Sequence, residues 1–172
     1  MGANTLLYAP NRIGQIIRME GSTVQIQVRK AVEADIPSLC DLLALLFAQE
    51  ADFTPDAGRQ TRGLQLIISQ PEVGRILCAI VNNSIVGMVS ILFTVSTAEG
   101  GRAAWMEDMV VHPDWRGRGI SERLLQEAIK EAHLSGCSRI TLLTDNSNSA
   151  AKRLYGRAGF VQSQMVPFRL SL

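Results

Sequence analysis

The fold of this chain is decided by one stretch of sequence, which reads WMEDMVVHPDWRGRGISERLLQEAIKEA from Trp105 to Ala132. Its apolar first part stops at His112-Pro113, and further on apolar residues recur every three or four positions, at Ile120, Leu124, Leu125, Ala128, Ile129 and Ala132. That spacing is typical of one face of an amphipathic helix. The stretch therefore predicts a strand, a tight turn and a helix that begins near Gly119.

The turn between this strand and this helix, Arg116-Gly117-Arg118-Gly119, has the composition of an anion-binding loop. The first amides of a helix have no acceptor within the helix, and they lie at the positive end of its dipole. Glycines at 117 and 119 let the backbone approach a ligand closely, while the two arginines add positive charge. These features predict a site for a pyrophosphate.

Two well-known phosphate loops do not fit the same residues. A P-loop requires a Gly-Lys-Ser/Thr ending, which is missing here. The dinucleotide fingerprint requires a third glycine where Glu122 stands, and a carboxylate there would oppose a phosphate. The stretch from Arg116 to Ser121 instead resembles the Arg/Gln-x-x-Gly-x-Gly/Ala signature of the GCN5-related N-acetyltransferase (GNAT) superfamily, from which Ser121 departs at the last position.

A second motif carries the same resemblance. Six downstream residues match the Asn-x-x-Ala-x-x-Leu-Tyr-x-x-x-Gly-Phe segment of that family: Asn148, Ala151, Leu154, Tyr155, Gly159 and Phe160. The two motifs agree in order and spacing, and the apolar residues 138–144 between them suit the intervening strand. The resemblance covers roughly residue 24 to the C-terminus.

The pattern and the resemblance together predict an α/β fold in which a mixed sheet is covered by helices on both faces. This is the three-layer α/β/α arrangement of the GNAT acyl-CoA N-acyltransferase fold, with the order βααββ-βαβαββ. The elements predicted before Trp105 are a strand, two helices and two strands, at residues 24–29, 36–50, 56–69, 75–81 and 84–95. Asp35 is predicted to cap the first helix, with Pro37 in its first turn. Asn82-Asn83 is predicted to form a hairpin turn, and residues 160–172 to add one or two closing strands.

Length and composition favour one folded domain at residues 24–172. A chain of 172 residues with 47% hydrophobic content encloses one sizeable core. Residues 1–23 are interpreted as an N-terminal extension, either a flexible leader or a non-native one, with Met19 as an alternative start. They lack the apolar core and the cleavage site of a secretory signal.

Charge, apolar runs and cysteine content argue against several classes of partner and site. The 17 basic and 16 acidic residues give a net charge of +1 and form no long block of one sign, so neither nucleic acid nor a membrane surface is favoured. The longest apolar run, residues 42–48, is too short to span a membrane. The odd number of cysteines, Cys40, Cys78 and Cys137, is interpreted as buried reduced thiols in a cytoplasmic protein without zinc-binding spacing.

The resemblance implies that acetyl-CoA is the co-substrate and that no metal takes part. The residues that match its binding positions are Met109, Val110, Val111, Arg116, Gly117, Arg118, Gly119, Ile120, Ser121, Asn148 and Tyr155. In family members the strand before the glycine loop holds the pantetheine arm by backbone hydrogen bonds, and one of its amides polarises the thioester carbonyl. Val110 is the residue expected to do so here.

Tyr155 matches the tyrosine that the family places near the sulfur, where it donates a proton or a hydrogen bond to the departing thiolate. A tyrosine with a pKa of ~10 and a thiol with a pKa of ~8.5 make complete proton transfer uphill by about 2 kcal/mol. Hydrogen bonding in the transition state or a lowered tyrosine pKa must supply the difference.

The stretch from Glu107 to Val111 is similar to the Glu-Asp-x-x-Val segment of the diamine acetyltransferase branch, whose acidic pair faces the substrate amine. Glu107 is therefore a candidate either as the base or as a residue that orients the substrate. Asp108, which strand alternation places on the opposite face, is a second substrate-binding candidate. Glu50, Asp52 and Asp56 are further candidates to line the amine pocket from the loop between the first two helices. Proton transfer from an ammonium to an ordinary carboxylate is uphill by about 8 kcal/mol, so a water chain, a raised carboxylate pKa or a less basic substrate is required.

These observations predict an N-acetyltransferase that moves an acetyl group from acetyl-CoA to a primary amine by direct attack in a ternary complex. A small-molecule amine is favoured as acceptor. Two alternatives stay open: a non-catalytic acyl-CoA-binding sensor or interaction module, and a peptide or protein N-acetyltransferase. A homodimer is an expectation from the family alone.

Overall fold

The computed structural model of the protein describes residues 15–19, 22–49 and 55–170. Glu50 and Asp52, two of the predicted substrate residues, lie outside the described residues. The elements run in the order β1 Gln15–Met19, β2 Ser22–Lys30, α1 Ile36–Phe47, α2 Ala57–Ser69, β3 Gly74–Val81, β4 Ser84–Ser96, β5 Gly101–Val111, α3 Ile120–Leu134, β6 Cys137–Leu142 and α4 Ser149–Arg157.

The six strands form one sheet in which spatial order follows sequence order, from β1 at one edge to β6 at the other. All neighbouring strands pair antiparallel except β5 and β6, which are parallel and are connected by α3. The predicted parallel pair around this helix is confirmed. β5 is therefore the strand at which the sheet changes from antiparallel to parallel pairing.

Helices cover the sheet on both faces, so the predicted three-layer arrangement is confirmed. On one face α3 packs its apolar side, including Ile120, Leu124 and Leu125, against buried residues of the central strands. On the other face α1 and α2 cover a second cluster that contains Leu39, Leu64, Met88 and Val110. We call these the α3 face and the α1/α2 face of the sheet.

The predicted hairpin turn at Asn82-Asn83 is confirmed. Both residues have positive φ, 48° and 63°, and they connect Val81 directly to Ser84 across the β3–β4 pair. Two successive left-handed residues are characteristic of a type I′ turn, whose twist matches that of the flanking strands. Asparagine tolerates this conformation better than most residues.

The start of α1 differs in one detail from the sequence prediction. Pro37 lies in the first turn as expected, but the Asp35 side chain makes no capping hydrogen bond. The Asp35 carboxylate instead accepts hydrogen bonds from Arg29 at 2.6 and 2.9 Å and from the Val32 N–H at 2.8 Å. Asp35 has helical φ and ψ, whereas a capping side chain requires an extended backbone. It therefore connects β2 to α1 and leaves the first helical amides uncapped.

The element order is as predicted from β2 to α4 and differs at both ends. Residues Gln15–Met19 form β1 within the predicted N-terminal extension, residues 1–23. No strand forms between residues 160 and 170, so the predicted closing strands are absent from this part of the chain. Alternating apolar residues give a strand only when a neighbouring strand is available, and Pro167 removes one backbone donor from this stretch.

Within the described residues, no helix combines the length and the apolar character that a membrane crossing requires.

Candidate active site

β5 contains a bulge at the acidic pair. Met88 on β4 is opposite Val110, and Ser90 is opposite Glu107, so the single residue Val89 faces two residues of β5. The extra residue bends the strand and changes the phase of its side chains. Asp108 lies in the bulge with φ +51°, a left-handed conformation that aspartate adopts more readily than most residues.

The bulge places both acidic residues on the same face of the sheet. Met106 belongs to the cluster on the α3 face, and Glu107 follows it on the opposite side. The Asp108 carboxylate also lies on the α1/α2 face, because it accepts a hydrogen bond of 3.0 Å from the Ser90 hydroxyl. Ser90 is on that face since it is two residues from Met88, a member of its cluster. The prediction that strand alternation separates Glu107 from Asp108 is therefore wrong.

The fold makes Asp108 a weaker acid than an ordinary aspartate. Burial raises the pKa of Asp108 to about 6, the negative charge of Glu107 contributes to the rise, and the Ser90 hydrogen bond partly opposes it. Glu107 itself is exposed. Sequence reasoning missed Ser90, although a serine in the middle of the apolar run of β4 was an available signal.

β5 and β6 separate beside this acidic pair. Their parallel pairing runs from Arg102 opposite Cys137 to Met106 opposite Leu142, where β6 ends. β5 continues to Val111, so the edge of residues 107–111 that faces away from β4 has no strand partner among the described residues. A free strand edge offers amides and carbonyls to an extended ligand. Met109 and Val111, two of the residues predicted to hold the pantetheine arm, lie along this edge. The His112 N–H donates to the Val86 carbonyl at 2.8 Å, so Val110, two residues earlier and opposite Met88, also directs its backbone groups toward β4. The Val110 amide is therefore not at the free edge, contrary to the prediction.

The glycine loop follows directly and has the geometry of an anion cradle. Gly117 and Gly119 have φ of +73° and +77°, which glycine adopts without steric cost. The first hydrogen bond of α3 runs from the Arg123 N–H to the Gly119 carbonyl at 3.0 Å. The N–H groups of Ile120, Ser121 and Glu122 therefore have no acceptor within the helix.

The two arginines of the loop make contacts within the protein. Arg116 donates from Nε to the Val111 carbonyl at 3.1 Å and thereby fastens the loop to the end of β5. The Arg118 guanidinium lies over the Trp115 ring, 4.8 Å from its centroid. Both side chains thus position the loop, while their charge still contributes to an attractive potential for phosphate.

Tyr155 lies in the core cluster on the α3 face and packs against Phe160 at a ring-centroid distance of 5.8 Å. Burial raises the pKa of Tyr155, so the fold does not supply a lowered tyrosine pKa. The hydroxyl therefore keeps its proton at neutral pH and can donate a hydrogen bond. Asn148 caps α4 by accepting the Ala151 N–H at 3.0 Å, which leaves its amide nitrogen for a ligand.

Cys78 and Cys137 do not have the properties of nucleophiles. All three cysteines are unpaired, Cys78 is fully buried, and Cys40 and Cys137 are partly buried. Burial raises the pKa of Cys78 to about 11 and also raises that of Cys137. A thiol that stays protonated at neutral pH is a poor nucleophile. The described part of the chain also brings together no group of three or more His, Cys, Asp or Glu side chains able to hold a metal ion.

The candidate site thus combines groups from both faces of the sheet. Glu107 and Asp108 lie on the α1/α2 face, Tyr155 lies on the α3 face, and the free edge of β5 is between them. The glycine loop continues from the end of that edge. A family model described as the acetyltransferase (GNAT) family matches residues 39–160, which contain all of these groups. This chain belongs to the GNAT acetyltransferase family.

As a GNAT protein, it is an acetyl-CoA-dependent N-acetyltransferase. It is 30% identical over 137 residues to an aminoalkylphosphonate N-acetyltransferase from Salmonella typhimurium, covering 80% of this chain and 86% of that protein. It is 45% identical over 56 residues to the N-alpha-acetyltransferase MAK3 of Arabidopsis thaliana, covering 33% of this chain but only 30% of that protein.

A solved structure of an integron cassette protein from a salt-marsh metagenome has the same fold as this GNAT enzyme. Its TM-score is 0.75 at 27% sequence identity, and the match covers 85% of this chain and 90% of that one. The predicted family and fold class are confirmed.

Proposed function

We propose that this GNAT enzyme acetylates the primary amine of a small molecule and that the amine attacks the thioester directly in a ternary complex. The observation that carries this proposal is the bulge of β5, which sets two carboxylates side by side where the strand edge becomes free. A pair of carboxylates attracts an ammonium group. The free edge suits the extended arm of the acyl donor, and the glycine loop suits its pyrophosphate.

The proposed reaction of the neutral amine exchanges a C–S bond for a C–N bond and an N–H bond for the S–H bond of free CoA. The nitrogen lone pair forms a C–N bond to the acetyl carbon, the C–S bond breaks, and its electron pair leaves with the sulfur. The Val111 N–H is proposed to polarise the thioester carbonyl, where negative charge develops during the attack, because the backbone of Val110 faces β4. Tyr155 hydrogen-bonds the departing thiolate. Glu107 and Asp108 bind the ammonium, and one of them accepts its proton.

The choice of a small acceptor is supported by the extent of the similarity to known enzymes. The aminoalkylphosphonate enzyme is matched over 86% of its length, whereas the protein N-alpha-acetyltransferase is matched over 30%. A similarity limited to part of a protein carries less information on what the whole protein acts on. A peptide or protein acceptor is the second candidate because the identity within that shorter match is higher.

An acceptor screen tests the substrate class. We expect acetyl-CoA to be consumed with 2-aminoethylphosphonate or spermidine and not with a peptide that has a free N-terminus. The release of CoA thiol measures the rate in each case. Faster acetylation of the peptide would transfer the proposal to the protein-acetylating class.

Replacing Tyr155 with phenylalanine distinguishes an enzyme from a non-catalytic acyl-CoA-binding module. Tyr155→Phe keeps the ring that packs against Phe160 and removes the hydroxyl. We expect kcat to fall about 100-fold or more while acetyl-CoA affinity, measured by calorimetry, stays within a factor of two or three. An unchanged kcat would remove Tyr155 from the mechanism, and a wild type without turnover would favour the module.

We also propose that the enzyme is a homodimer that associates through residues 161–170. Five large apolar side chains in this stretch are exposed: Val161, Met165, Val166, Phe168 and Leu170. Contiguous exposed apolar surface is uncommon on monomers and marks interaction sites.

A further inference from the structure

The Ser90–Asp108 pair is unusual for a carboxylate within a sheet. Ser90 is fully buried, and its hydroxyl donates to Asp108 Oδ2 at 3.0 Å. Asp108 is held at φ +51° by the bulge, so the backbone itself fixes the direction of this side chain. Among the described residues, no lysine or arginine forms an ion pair with Asp108. A largely buried carboxylate without a cation is costly in a resting protein and is suited to a cationic ligand.

Several titratable groups share this face with Asp108. Cys40 of α1 packs against the same cluster, and the Arg29–Asp35 pair lies close enough to Cys78 to act on it. On β5 the neighbouring titratable group is Glu107, whose charge acts on Asp108. On the same face, β3 contributes Cys78, a buried thiol that is neutral at physiological pH. The buried side chains that α1 and α2 direct into this cluster are the apolar residues Ile36, Leu39, Leu42, Leu43 and Leu64.

We propose that Asp108, rather than Glu107, accepts the proton of the substrate ammonium, and that Ser90 is a positioning residue that holds the Asp108 carboxylate. This inference rests on the proposed amine acetylation. Glu107, which is exposed, attracts the ammonium to the site without taking its proton. The assignment exchanges the roles that the sequence suggested for the two acidic residues.

The proton moves from the substrate ammonium to Asp108, and the step balances. An N–H bond of the ammonium breaks, an O–H bond forms on Asp108, and the nitrogen keeps the electron pair that then attacks the acetyl carbon. Ser90 occupies Oδ2, so Oδ1 is the oxygen that receives the proton. The step converts a cation and an anion into two neutral groups, which a poorly solvated site favours.

The acidity of Asp108 supports this role. An ordinary aspartate has a pKa of 3.8, whereas burial raises that of Asp108 to about 6. This difference makes proton transfer from a given ammonium about 100-fold more favourable than transfer to an ordinary aspartate.

The test is the pH profile of kcat/KM, measured with spermidine or 2-aminoethylphosphonate, whichever the wild type acetylates faster. We expect an acid limb near pH 6, below which the rate falls as Asp108 becomes protonated. Asp108→Asn keeps the shape and tolerates positive φ, and it should lower kcat at least about 100-fold and abolish this limb. Acetyl-CoA affinity should be unchanged.

Two neighbouring substitutions should move the acid limb in opposite directions. Ser90→Ala removes a hydrogen bond that favours the charged carboxylate, so the limb should move to higher pH. Glu107→Gln removes a like charge, so the limb should move to lower pH. The matched control is Glu99→Gln, an exposed carboxylate at the β4–β5 turn that pairs with Arg139, and it should leave the profile unchanged. Titration of the substrate is common to all variants and cancels in the comparison.

The outcomes separate this inference from the proposed function. An active wild type whose acid limb survives unchanged in Asp108→Asn would overturn the assignment of Asp108 alone. An acid limb that disappears in Glu107→Gln would return the role to Glu107. A folded wild type that binds acetyl-CoA and acetylates neither amine would overturn the proposed function, and the role of Asp108 with it.

Discussion

Asp108 shows how a single side chain of the candidate site can lower the stability of the fold. Its positive φ costs roughly 1 kcal/mol relative to an ordinary strand conformation, and its burial opposes ionisation. The native protein therefore binds a proton at Asp108 more tightly than the unfolded chain does. Between pH 3.8 and about 6, the contribution of Asp108 to the free energy of unfolding therefore falls as the pH rises.

This linkage predicts that Asp108→Asn stabilises the protein at neutral pH. Asparagine carries no charge, so the variant should exceed the wild type in free energy of unfolding by up to about 3 kcal/mol at pH 8. The difference should shrink as the pH falls through 6 and disappear near pH 4. Urea unfolding of both proteins across this range provides the measurement. A variant that is less stable at pH 8, or a difference independent of pH, would contradict the prediction.

Beyond each end of α3 lies a glycine whose backbone is in the left-handed conformation. Gly117 lies in the loop before its N-terminus with φ +73°, and Gly136 follows its C-terminus with φ +77°. An added Cβ would meet no other atom within 4 Å at either position. The two glycines therefore impose the same backbone cost on any substitution, but only Gly117 is near the predicted pyrophosphate site.

Alanine at these two positions should separate stability from binding. Gly117→Ala and Gly136→Ala should each lower the free energy of unfolding by roughly 1–2 kcal/mol. Only Gly117→Ala should weaken acetyl-CoA binding, by about 10-fold, because its Cβ and altered backbone interfere with close approach of the phosphates. Calorimetric titration with acetyl-CoA measures this effect. Equal affinity in both variants would place the pyrophosphate elsewhere.

Residues 161–170 take no part in the sheet. β6 is the edge strand, and the apolar residues of 161–170 remain exposed. A second copy of the chain could cover these side chains, which is the basis of the proposed homodimer.

Substitution in this stretch tests the dimer. Phe168→Ser combined with Leu170→Ser should shift the protein toward the monomer in sedimentation velocity experiments, because both side chains are more than 80% exposed in the single chain. Leu134→Ser, at the end of α3, removes another exposed leucine and should leave the association unchanged. A wild type that sediments as a monomer at all concentrations measured would exclude the dimer.

Local chemistry was enough to predict several parts of this protein. The start of α3, the glycine loop and the Asn82-Asn83 turn follow from residues that are close together along the chain. The tertiary structure alone decided the register of β4 against β5, which joins residues far apart in sequence, and with it the bulge that brings Asp108 to Ser90. A shift of one residue in strand pairing reverses which face a side chain occupies. For this reason alternation misplaced Asp108, and its altered acidity was visible only in the folded chain.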